Sequence, residues 1–160
     1  MKVESHKKGF TIIEVVLVLA IAGLIFLMVF IALPALQRGQ RDTQRRDDMA
    51  RVLSQVSQYQ ANNGGKIPNQ DSYQRFFKDY LKWGDNGEFN DPDTGNKYDI
   101  KYVACTSDAD CKIPDDAKVS EVYYMYHAHC DGETPKYDKG DRKMAIVTKL
   151  EGSGTYCSNN

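Results

Sequence analysis

From Phe10 to Leu36 nearly every position is apolar, and Thr11 and Glu14 carry the only polar side chains in the run. Within it, the 19 residues from Val15 to Leu33 bear no charge. At about 1.5 Å per residue in a helix, that stretch covers the roughly 30 Å hydrocarbon layer of a bilayer. The alternative is a cleavable secretory signal, for which "IALPALQ" (residues 31–37) supplies small residues near its end. Such signals have apolar cores of about 7–15 residues, so the length favours a retained membrane helix.

The helical pattern continues past the apolar run. In "DDMARVLSQVSQYQANNGGKIP", Met49, Val52, Leu53, Val56 and Tyr59 recur at spacings of three and four, one apolar stripe on a polar helix. Asn62-Asn63-Gly64-Gly65 and then Pro68 mark its end. A helix from about Phe10 to Ala61 would be ~80 Å long. Pro34 and Gly39 are its weak points, because a proline removes one backbone hydrogen bond and favours a kink.

Residues beyond Lys66 predict a small α+β head. "DSYQRFFKDYLKWG" places Tyr73, Phe76, Phe77, Tyr80 and Leu81 at helical spacing and ends at Gly84. Three stretches alternate like strands: "KYDIKYVAC" through Tyr98, Ile100 and Tyr102; "VSEVYYMYHAHC" through Val122, Tyr124, Tyr126 and Ala128; "RKMAIVTKL" through Met144, Ile146, Thr148 and Leu150. The expected fold class is α+β, a long N-terminal helix, half of it transmembrane, packed against a small antiparallel β-sheet through the Met49–Tyr59 stripe.

Charge and cysteines add a compartment. From Asn62 to the end there are 13 Lys/Arg against 17 Asp/Glu, so direct nucleic-acid binding by the bulk head surface is not expected. All four cysteines, Cys105, Cys111, Cys130 and Cys157, fall in the second half of the 160 residues. Behind a membrane segment they read as two disulfides in an oxidising, extracytoplasmic space. Of the three pairings open to them, a short Cys105–Cys111 loop and a Cys130–Cys157 staple on the tail are favoured. The arginine-rich flank, Arg38, Arg41, Arg45 and Arg46, argues for the opposite topology by the positive-inside tendency. The cysteines outweigh it, since the arginines lie among aspartates and Lys2, Lys7 and Lys8 precede the span.

The stretch "KKGFTIIEVVLVLAIAGLI" resembles the class III signal of type IV pilins and pseudopilins, the segment read by prepilin peptidase. In that family a basic leader ends in glycine, phenylalanine follows, and a glutamate comes four positions later; these roles fall on Gly9, Phe10 and Glu14. The resemblance extends over about the first 65 residues and implies cleavage after Gly9, N-methylation of Phe10 and an assembly role for Glu14. It implies a pilin fold divided into a leader (1–9), a transmembrane or filament-core helix (10–36), an amphipathic continuation (37–62) and a globular head (63–160). Many members carry a helix-breaking proline where this chain has Ile31; Pro34 lies three residues later.

On this reading the chain is the structural subunit of a type IV pilus serving adhesion, twitching motility or DNA uptake. A pseudopilin of a type II secretion or competence system is the near alternative. A non-polymerising membrane-anchored or secreted binding module is the alternative of another class. The implied partners are copies of itself in a helical filament, prepilin peptidase, the assembly platform and motor, and the membrane before assembly. The implied location is the cytoplasmic membrane, single-pass with the head outside, and then the cell-surface pilus.

No catalytic residues are expected, and no cofactor beyond calcium. "NDPDTGNKYD" gathers Asp91, Asp93, Asn96 and Asp99 around Gly95, and oxygen donors on a tight turn suit calcium. It resembles the DP…G…Y loop of major pseudopilins and some pilins. The plainer reading is a Pro-Asp turn with a glycine exit. A zinc site at His127, His129 and Cys130 would need the two histidines on one strand face. No paired CxxC or HxxxH spacing supports it.

Overall fold

A computed structural model describes residues 9–84, 86–152 and 154–160; residues 1–8 of the expected leader lie outside the described residues. The chain falls into two compact units, Met1–Gln37 and Arg38–Asn160. The first is the apolar part of helix α1, which runs from Ile12 to Asn62. Its large apolar side chains stand exposed, among them Leu17, Leu24, Phe26 and Phe30. The most apolar 18-residue window of α1 is 0% buried, and by length and composition this helix is able to cross a membrane. Helix continues through Pro34 and Gly39, the two expected weak points. Proline costs the Phe30 carbonyl its helical donor, a loss that membrane helices absorb by local adjustment.

In the second unit α1 turns one face inward. Asp42, Arg45, Met49, Val52 and Val56 are buried at alternating spacings of three and four, with Leu53 and Tyr59 partly covered. Helix α2, Tyr73–Leu81, buries Phe76, Phe77 and Leu81 against the same core. It ends where Lys82 takes a left-handed φ of 53° and the Trp83 N–H reaches back to the Phe77 carbonyl at 3.1 Å.

The strands are β1 (Asp99–Ala104), β2 (Glu121–Tyr126), β3 (Ala128–Asp131), β4 (Thr134–Tyr137), β5 (Met144–Lys149) and β6 (Thr155–Asn159). Four of them form a sheet in the order β1-β2-β5-β6, and β3 pairs with β4 as a separate hairpin. The sheet is mixed rather than wholly antiparallel: β1 lies parallel to β2, while β2–β5 and β5–β6 are antiparallel. A parallel neighbour requires a crossover of a dozen or more residues. The segment between Cys105 and Ser120 supplies it.

One sheet face, with Ile100, Val122, Tyr124, Met144 and Ile146, packs on α1 and α2. The other face, with Tyr123, Met125, Ala145 and Val147, covers a smaller core around Cys105 and Cys111. β2 and β5 are therefore buried on both faces, and simple alternation describes them poorly. The single strand expected through Cys130 breaks at His127, whose φ is 59°. His127 and His129 consequently do not share a strand face. His127 Nε2 lies 3.3 Å from Asp141 Oδ1, and His129 Nδ1 lies 3.7 Å from Asp138 Oδ2.

Two disulfides close the head, Cys105–Cys111 across 6 residues and Cys130–Cys157 across 27. Chain entropy makes the longer loop worth more, roughly 3–4 kcal/mol against about 2 kcal/mol. Replacing Cys130 and Cys157 together by serine should lower the denaturant midpoint of the detergent-solubilised chain further than the Cys105/Cys111 double replacement. Phe77→Ala, at a side chain with 0% exposure, should cost about 3–5 kcal/mol in the same measurement.

Candidate functional site

Two places carry chemistry, the start of α1 and the polar end of its buried stripe. At the first, Gly9 and Phe10 precede the helix and Phe10 is 90% exposed. A Cβ built on Gly9 meets nothing within 4 Å, so packing among the described residues gives no reason for glycine there. Thr11 and Glu14 form a capping box. Glu14 Oε2 accepts from the Thr11 backbone N–H at 2.8 Å and from Thr11 Oγ1 at 2.9 Å. In return the Glu14 N–H approaches Thr11 Oγ1 at 3.4 Å. Among the described residues no hydrogen bond reaches Oε1. A groove of about 470 Å³ beside the carboxylate is lined by Phe10, Val15, Val18 and Leu19. Geometry here provides a half-satisfied carboxylate in an apolar wall.

At the second place, Arg45 is 0% exposed and faces carboxylates from three segments. Its Nε donates to Asp91 Oδ1 at 2.8 Å, and Nη2 lies 2.7 Å from the same oxygen without hydrogen-bond alignment. Nη1 reaches Glu151 Oε1 at 2.6 Å and Asp42 Oδ1 at 3.2 Å. Arg41 grips Glu151 from the other side through Nε at 2.7 Å and through Nη2. Asp42 also accepts the N–H groups of Glu151 and Gly152, both at 2.8 Å. A side chain at Gly152 would bring its Cβ to 3.1 Å from Asp42 Oδ2, so glycine permits this approach. Nearby, the Tyr98 hydroxyl donates to Asp48 at 2.9 Å, and burial raises the Asp48 pKa despite that bond.

The oxygen-rich loop is used by these arginines. Asp91 is 0% exposed, and its Oδ2 accepts from Thr94 N–H at 3.1 Å and Thr94 Oγ1 at 3.2 Å. Gly95, at φ 68°, closes the turn, and its N–H reaches the Asp91 carbonyl at 2.8 Å. Asp93 Oδ1 lies 3.5 Å from Arg41, Asn96 hands its carbonyl to the Asp91 N–H at 2.8 Å, and Asp99 pairs with Lys101 at 2.6 Å. Among the described residues no group of three or more His, Cys, Asp and Glu is placed to hold a metal ion. Asp91, Asp93 and Asp99 each face a cation of the same chain, Arg45, Arg41 and Lys101 in turn.

The sequence assigns no site role to Arg45, Asp42, Glu151 or Thr11. A signal existed for two of them. Asp42 and Arg45 stand in phase with Met49, Val52 and Val56 on the inward stripe. Nothing local marks Glu151, which reaches the site only through the β5–β6 turn.

Glu151 is held at a pKa of about 2, first by the hydrogen bond from Arg41 and further by Arg45, against the opposing effect of burial. A carboxyl depressed in the fold contributes stability that is complete above its unfolded pKa, about 4.3, and is lost as pH falls through about 2. Glu151→Gln should therefore flatten the fall of melting temperature between those values, read by thermal denaturation at stepped pH. A parallel curve for the variant would contradict it.

Comparison with known proteins bears on the first place. No curated protein and no solved structure matches the chain. Residues 5–30 match the family described as the prokaryotic N-terminal methylation motif. The N-terminal segment thus carries the class III signal peptide of type IV pilins and pseudopilins, a motif that points to a structural protein rather than an enzyme.

Proposed function

We propose that the chain is the precursor of a type IV pilus subunit, cut by prepilin peptidase after Gly9 and polymerised through the apolar part of α1. The carrying observation is the methylation motif at residues 5–30 on a helix whose apolar window is 0% buried. Apolar surface of that extent is stable in lipid or against other apolar helices, and not in water. Lipid serves before assembly, and copies of the same helix serve after it.

Glu14 supplies the register. Glu14 stands in the first turn of α1, and once apolar helices of neighbouring copies enclose it, a counter-charge offsets the cost of burying its carboxylate. Cleavage after Gly9 creates one, because the α-amine of Phe10, with an ordinary pKa of about 7.7–8.0, is largely cationic near neutrality. The capping box occupies Oε2 and leaves Oε1 for that ammonium, from the same chain or an incoming copy. The small residue at Gly9 has its reason in the peptidase rather than in the fold.

A pseudopilus subunit is the second reading, since the motif is common to both filaments. The Asp91 loop, whose sequence resembles a loop of major pseudopilins and some pilins, is compatible with both readings.

Mass spectrometry of the mature protein from native membranes should find a chain beginning at Phe10, and Gly9→Val should leave the leader attached. A functional chain that retains residues 1–9 would refute the reading. Glu14→Ala should insert in the membrane and yield no filaments by electron microscopy. Glu14→Gln keeps a cap acceptor but loses the charge and should also fail. Filaments from the glutamine variant would reduce Glu14 to a helix cap.

A further inference from the structure

The Asp91 loop has the composition of a cation site, and a cation already stands in it. Arg45 reaches the loop from α1 with no exposed surface, and it touches Asp91 of the loop, Asp42 of its own helix and Glu151 of the β5–β6 turn. Every carboxylate in this cluster has a second use. Asp42 accepts two backbone N–H groups, Asp91 accepts two groups of Thr94, and Glu151 is shared with Arg41. Calcium requires roughly 6–8 oxygens at about 2.3–2.6 Å. Gathering them here would strip a sealed guanidinium of its partners and bring a second cation beside it, both unfavourable where water cannot screen the charge.

We propose that the Arg45 guanidinium is the resident cation of this acidic site. It joins α1, the Asp91 loop and the β5–β6 turn, the cross-linking that an oxygen-rich loop would otherwise draw from a divalent metal ion. The head accordingly folds and stays folded without calcium. This assignment is independent of polymerisation, because every contact lies within the second unit of a single chain.

The test uses the full chain in nonionic detergent, stripped with a chelator and then titrated with calcium chloride alone. At about 10 mM, some tenfold above the Kd of the weakest extracellular calcium modules, an occupied site would raise the melting temperature by several degrees. The wild type should move by no more than about 1 °C and show no saturable heat of binding, against that expectation for ligand linkage. Arg45→Gln should melt several degrees lower, with Arg45→Lys between it and the wild type because lysine keeps the charge and loses the fork. Calcium should restore part of the loss in Arg45→Gln, where carboxylates face the vacated volume. A saturable rise in the wild type that Asp91→Asn abolishes would overturn the proposal. So would an Arg45→Gln loss that calcium leaves untouched. Should Arg45→Gln fail to fold, the wild-type titration and Arg45→Lys still decide the question.

Discussion

Arg45 carries a full charge into a place without exposed surface, and Asp42, Asp91 and Glu151 surround it there. Removing one partner from such a cluster leaves a buried charge unmatched, commonly a loss of about 3–5 kcal/mol. The same cluster positions segments far apart in the chain. The loop before β1 and the turn before β6 both end on this one side chain, so the helix face and both edges of the sheet share a common anchor. Apolar packing of Met49, Val52 and Val56 then continues the seam where the charges stop.

This arrangement gives the arginines after the apolar run a structural use of their own. Basic residues after a span ordinarily favour the cytoplasmic side. Arg41 and Arg45 are neutralised by carboxylates of the head, and Arg46 lies 5.7 Å from the centre of the Tyr156 ring. They behave as structural cations of a folded domain rather than as loop charges. The two disulfides fit the oxidising side that this orientation requires.

The halves of α1 answer to different surroundings. Beyond Arg38 the helix is amphipathic and its partner is the head of the same chain. Before it, nothing among the described residues covers the apolar side chains. At the start of that half the capping box with Thr11 satisfies one oxygen of the Glu14 carboxylate.

Local rules determined much of this protein from sequence alone. An uncharged run of bilayer length, a three-four stripe, a glycine-proline exit and the aromatic spacing of α2 each act over a few residues, so α1, α2 and the methylation motif were legible. Tertiary structure alone decided the parallel placement of β1, the break at His127, the β3–β4 hairpin and β6. Those depend on which strand edges meet after a long crossover, information that side-chain alternation does not contain. The fate of the Asp91 loop was likewise invisible locally. Oxygen donors on a turn are the same letters whether a metal or an arginine meets them, and only the packing of α1 brought Arg45 there.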